Sequence, residues 1–159
     1  MILWGSLAGG LVGTIVLTSG LRLSQELGWT RMDLPLLLGS MFSADRGRAS
    51  VIGYALHFFN GLVFSLGYAA IFYAIGRAGW SLGLVLGAAH ALFAGGGLVT
   101  VLLPAMHPRM GNPWTDAEET PYLEAPGFML HNYGRATAIV TFVVHLAYGA
   151  IVGAFAAGF

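Results

Sequence analysis

Residues 51–75 read VIGYALHFFNGLVFSLGYAAIFYAI, a run without one charged side chain. Crossing a hydrocarbon core of about 30 Å takes roughly 20 apolar residues, so this run is long enough to be a transmembrane helix. Working outward, Ile2 to Leu21, Trp80 to Leu103 and Ala136 to Phe159 meet the same criterion. The chain is 57% hydrophobic and 9% charged, whereas a soluble domain carries roughly 25% charged residues. The expectation is an all-α membrane protein, one transmembrane domain over residues 1–159 with four membrane-spanning helices. The first apolar run has no basic residue ahead of it and is too long for a secretory signal, so it is read as a retained span.

Charge is confined to the connections. Glu26, Asp33, Asp45, Asp116, Glu118, Glu119 and Glu124 all lie between spans one and two or between spans three and four. Arg22, Arg31, Arg46, Arg48, Arg109 and Arg135 lie there too, counting the span edges. Four crossings put both connections on one side, which the positive-inside tendency makes cytoplasmic. Formal charge is zero and Lys is absent, so no basic field recruits nucleic acid. With no cysteine, disulfides, thiolate metal sites and cysteine nucleophiles are excluded. The connections contain Leu34–Phe42 (LPLLLGSMF) and Tyr122–Tyr133 (YLEAPGFMLHNY), whose Pro, Gly and large apolar residues suit a lid folded over the bundle better than a solvated loop.

The chain also repeats. At one constant offset Gly5 pairs with Gly83, Gly9 with Gly87, Arg31 with Arg109, Met32 with Met110 and Pro35 with Pro113. After an insertion, Gly47-Arg48-Ala49-Ser50 matches Gly134-Arg135-Ala136-Thr137, and His57-x-x-x-Gly61 matches His145-x-x-x-Gly149. Two tandem helix-loop-helix units, 1–76 and 79–159, keep the same orientation and are expected to share a pseudo-twofold axis along the membrane normal.

Two sets of residues stand out. Gly5, Gly9 and Gly13 in span one, and Gly83, Gly87, Ala91 and Gly95 in span three, form small-residue stripes at helical spacing. Lipid tails give no hydrophobic drive between helices, so such stripes promote association by close backbone approach. Here they are expected to bring spans one and three together at the axis, or to meet helices of another chain. The second set is His57, His90 and His145, inside spans, where ionisable residues usually face the bundle interior or a cavity. By a rise of 1.5 Å per residue, His57 lies about 9 Å and His145 about 13 Å from the loop end. The Gly one turn after each could clear space beside the ring.

Two readings of these histidines are open. They could ligate haem b, with Arg48 and Arg135 reaching its propionates; or each could hydrogen-bond a neighbouring helix. Spans one and three meeting at the axis would hold His57 and His145 apart, against a shared iron. Arg48 and Arg135 stand near helix starts, where the macrodipole disfavours a cation, and lipid phosphate, a quinone or another anionic head could compensate them. His107 and His131, with the acidic residues of the second connection, form a weak metal candidate of irregular spacing. No phosphate-binding glycine loop, nucleophile elbow or H-E-x-x-H is present, so nothing reads as an enzyme.

Arg31-Met32-Asp33-Leu34-Pro35, His57 with Gly61, His107-Pro108-Arg109-Met110, and Glu124-Ala125-Pro126-Gly127-Phe128 ahead of Asn132-Tyr133-Gly134-Arg135 resemble a group of small bacterial four-span membrane proteins with no assigned activity. The resemblance covers most of the chain and implies the fold alone. The functional expectation is a non-catalytic membrane subunit, assembled through the glycine stripes into a homo-oligomer or larger complex in contact with lipid. The alternative is haem b, metal, quinone or lipid binding through His57, His90, His145, Arg48 and Arg135, for electron transfer or transport.

Overall fold

The computed structural model describes residues 1–111 and 123–158. Among them there is no strand beyond one isolated bridge, Met110 to Leu123. Four helices are long and apolar enough to cross a membrane, Ile2–Glu26, Arg46–Ile75, Trp80–Met106 and Thr137–Ala157. The chain is an all-helical integral membrane protein, as its apolar runs require. Trp4, Tyr73 and Trp80 are exposed near one end of the bundle, and Trp29, Phe42 and Phe128 near the other, the placement of aromatic interface belts.

The first span is α1 (Ile2–Glu26), which continues past the apolar run to an Arg22–Glu26 pair at 3.3 Å. A short α2 (Leu34–Gly39) follows, its start fixed by Pro35 and by the Asp33 carboxylate, which accepts from the Leu36 N–H at 3.0 Å. Asp45 caps α3 (Arg46–Ile75) in the same way, accepting from the Arg48 N–H at 2.8 Å. That helix ends at Gly76, whose φ of 74° favours glycine.

The third span is not one regular helix. It runs as α4 (Trp80–Ala91), a π-helical stretch (Leu92–Leu102) and α5 (Leu103–Met106). Pro104 has no N–H to donate, and its ring crowds the carbonyl four residues back, which is Thr100. The Thr100 hydroxyl donates at 2.6 Å to the carbonyl of Gly95, five residues earlier. Three successive glycines, Gly95 to Gly97, lower the resistance to this wider winding. Most π-helical segments are single-turn bulges, often at functional sites; this one extends through 11 residues.

In the second connection a 3-10 segment (Phe128–Tyr133) precedes the fourth span, α6 (Thr137–Ala157). Packing centres on α6, which lies along both α1 and α4; α3 lies against α1 and α2. Both small-residue stripes therefore pack inside the chain, but on α6. Spans one and three do not pair, contrary to the expectation of a shared axis contact. A Cβ at Gly5 would lie 2.3 Å from the Phe155 carbonyl oxygen, and one at Gly9 2.9 Å from Val152 Cα. One at Gly13 would meet the Tyr148 ring at 2.9 Å. From the other side, a Cβ at Gly83 would sit 2.1 Å from the Gly149 oxygen and one at Gly87 2.5 Å from the His145 oxygen. Ala91 is buried, whereas a Cβ at Gly95 meets nothing nearer than 3.5 Å, so the tight part of that stripe ends before the π-helical stretch.

The helices thus follow each other around the bundle as α3, α1, α6 and the third span. Two of the four neighbouring pairs, α1 with α6 and α6 with α4, pack backbone to backbone, and α1 meets α3 through the small side chains of Thr14 and Ser65 set against Gly61 and Gly10. Between α3 and the third span, side chains bridge a wider gap: Phe64 of α3 lies against His90 of α4 with ring centroids 3.9 Å apart.

Candidate functional site

That gap holds a cavity of ≈ 230 Å³. His57 and Asn60 reach it from α3, His90 from α4, His145 and Tyr148 from α6, and Thr14 from α1. Its remaining lining is almost entirely apolar. The sequence predicts three intramembrane histidines; the fold gathers all three at one place.

Their hydrogen bonding is uneven. His145 Nδ1 lies 2.7 Å from the Thr141 carbonyl oxygen, one turn earlier in α6. A carbonyl only accepts, so the proton sits on Nδ1 and Nε2 of the neutral ring carries a lone pair. His57 is 9% exposed, and its Nε2 is buried with no partner among the described residues. His90 Nδ1 lies 3.4 Å from the Tyr68 hydroxyl, beyond the usual range of a strong bond. The His90 ring meets His145 edge to face at 4.8 Å and Tyr148 at 5.5 Å. The two hydroxyls that line the cavity are committed: Tyr148 donates to the Gly61 carbonyl, and Thr14 donates to the Gly10 carbonyl at 2.7 Å.

The glycines one turn after the matched histidines also serve helix contacts, and Gly61 lines the cavity with His57. A Cβ at Gly61 would lie 2.0 Å from Thr14 Oγ1 of α1, and one at Gly149 2.2 Å from the Gly83 oxygen.

The loop end of the cavity is closed by Leu34 and Leu38 of α2, Met41 after it, and Leu102, Leu103 and Met106 of the third span. A clamp secures this lid. His107 Nε2 is 3.1 Å from both the Leu37 carbonyl and Ser40 Oγ, while its Nδ1 accepts from the Arg109 N–H at 3.0 Å. Arg109 Nη1 donates to the Ser40 carbonyl at 2.8 Å. Burial pushes the His107 pKa down, as does the Arg109 charge, against the opposing effect of the Leu37 bond. Both ring nitrogens are thus used in the clamp. His131, its companion in the weak metal candidate, is exposed, and Asp116, Glu118 and Glu119 lie outside the described residues. Among the described residues no three His, Asp or Glu side chains stand close enough to hold a metal ion.

Arg48 and Arg135 are exposed and do not line the cavity. Arg135 instead borders a surface depression with His131, Asn132 and Phe128. Haem b is a poor fit on two counts. The cavity volume falls below the roughly 300–1,000 Å³ of ordinary small-molecule sites, and neither arginine is placed to meet a propionate.

Asn60, Thr14 and Tyr148 were not singled out from sequence. Asn60 had a readable signal, since it is a polar residue inside a span and lies three positions after His57, on the same helical face. Thr14 and Tyr148 had none, because hydroxyls in spans usually bond their own helix or a neighbour.

The fold and this site define a polytopic helical membrane protein with a largely apolar cavity among its helices, lined also by His57, His90 and His145. No known protein family, curated protein or solved structure matches the chain.

Proposed function

We propose that this protein binds the polar head of a lipid-soluble small molecule in the cavity between α3 and the third span. The observation that carries this reading is that His57 Nε2, buried without a partner among the described residues, and His145, whose Nδ1 alone is hydrogen-bonded, line one otherwise apolar cavity. An unsatisfied buried polar group costs about 1–3 kcal/mol, and a bound head group would recover that cost. An engineered cavity of about 150 Å³ accommodates benzene, so this one suits a single ring, with an alkyl tail leaving between helices into lipid. Alkylated quinones and hydroquinols have this form. We assign no catalytic step.

In the same reading the membrane is a bacterial inner membrane, the connections and their lid face the cytoplasm, and the chain descends from a tandem duplication. Support for duplication comes from Arg31 and Arg109, matched in the repeat. Arg31 donates to the Asn132 carbonyl in the second connection, and Arg109 to Ser40 in the first. The helix order around the bundle also suits a pseudo-twofold axis, with spans one and three diagonal. The departure is local: α1 meets α6 closely, whereas the corresponding contact of the third span with α3 is opened by the cavity.

Assembly into a homo-oligomer or with other membrane subunits is the weaker reading, because the stripes proposed to mediate it are occupied by α6. The test is saturable binding of a decyl-benzoquinone and its hydroquinol to the protein in lipid nanodiscs. Ala94 lines the cavity, and Ala94→Trp, which fills it, is expected to abolish binding. Equal binding to Ala94→Trp, or none above empty nanodiscs with either probe, would sink the proposal.

A further inference from the structure

Resting on that reading, we infer that the head group bound here is a hydroxyl donor on an aromatic ring, a phenol or hydroquinol, with His145 Nε2 as its acceptor. The inference starts from the Thr141 carbonyl. By taking the Nδ1 proton at 2.7 Å it leaves Nε2 able to accept and unable to donate. His145 is 6% exposed, and no hydrogen bond reaches its Nε2 among the described residues. The two hydroxyls that line the cavity do not supply the missing proton, since Tyr148 and Thr14 already donate to the Gly61 and Gly10 carbonyls.

A quinone carbonyl or an ether oxygen only accepts and would leave the His145 lone pair unmet, whereas a hydroxyl group donates to that lone pair and keeps its own lone pairs for any donor that lines the cavity. The surroundings favour an aromatic ring over an aliphatic alcohol. Phe64 and His90 lie at 3.9 Å with a 34° tilt, and Tyr148 stands nearly perpendicular to His90 at 74°. Such a set offers both ring faces and ring edges to a guest.

The experiment compares 4-hexylphenol with 4-hexylanisole, its methyl ether, on the full chain in phosphatidylcholine nanodiscs, with partition into empty nanodiscs subtracted. The phenol is expected to bind about tenfold or more tightly, the range that follows from one hydrogen bond made in a largely apolar cavity by the phenol and not by its ether. In histidine-15N spectra, the His145 Nε2 resonance is expected to shift with the phenol and stay in place with the anisole. In His145→Phe the phenol's advantage is expected to vanish while the anisole still binds. Equal affinity for the two probes in the unaltered protein, or an unmoved Nε2 resonance at saturating phenol, overturns the inference and leaves the cavity reading standing. Failure of both probes to bind overturns the cavity reading and the inference together.

Discussion

Replacing Gly149 by alanine places a methyl group where the α4 and α6 backbones touch. Its Cβ would lie 2.2 Å from the Gly83 carbonyl oxygen and 2.8 Å from Gly87 Cα and N, all backbone atoms with no rotamer to yield. Restoring ordinary contact at 3.4 Å requires the helices to part by about 1.2 Å, and a gap of 0.5–1 Å already forfeits a quarter to a half of each dispersion contact. Spread along an interface between two full helices, that loss comes to about 2 kcal/mol, inside the typical range of about 1–3 kcal/mol for overpacking. For a chain of this size it corresponds to a fall in Tm of about 4–8 °C. Thermal denaturation in detergent, followed by size-exclusion recovery, measures it, and Gly83→Ala should give a similar drop. Gly95→Ala is the internal control: it belongs to the same stripe in sequence, yet its Cβ would meet nothing nearer than 3.5 Å, so its Tm should stay within about 1 °C of the parent. Equal losses at Gly95 and Gly149, or no loss at Gly149, would refute the reasoning that α6 is the partner of this stripe.

The clamp on the lid predicts a pH dependence with a definite sign. Because burial lowers the His107 pKa, the unfolded chain holds that proton more tightly than the folded one. The His107 contribution is therefore fully present above the ordinary histidine value near 6.5 and diminishes as pH falls below it. The drop in Tm between pH 7.5 and 5.5 should be smaller in His107→Gln than in the parent, and an identical drop would remove His107 from the account. Tyr148→Phe deletes the hydroxyl that donates to the Gly61 carbonyl, a loss of about 1 kcal/mol. Its expected Tm decrease of about 2–4 °C is checked in the same denaturation assay, and an unchanged Tm would mean that the bond adds nothing to the α3–α6 contact.

The spans were legible because length and hydrophobicity act along the chain, and Val51 to Ile75 needs no partner to be recognised. The stripes were legible as tight packing surfaces but not as to their partner. Gly5 and Gly83 declare that a backbone comes close, and any helix could supply it; α6 does so on two sides because Gly149 and Gly153 leave its face to α4 bare. The histidines were legible by their cost in lipid, and the repeat paired His57 with His145. That His90 joins them depends on the seating of α4 on α6 through Gly83 and Gly87, a partner that the stripe itself does not name. Arg109 was visible as a repeat marker, while its hold on the Ser40 carbonyl depends on a loop fold that no periodicity encodes.

The dependence of α1 and α4 on α6 has a consequence for biogenesis. The last of the four spans to be synthesised is the one on which both glycine stripes close. Until it enters the bilayer, α1 has only its contacts with α3, and the third span has no helix against which to seat Gly83 and Gly87. Closure of both stripes must therefore wait for the fourth span, so these contacts form after the earlier spans have crossed. A ribosome stalled before Thr137 would leave two glycine faces uncovered in the membrane, the form most exposed to membrane proteases and to pairing with unrelated helices.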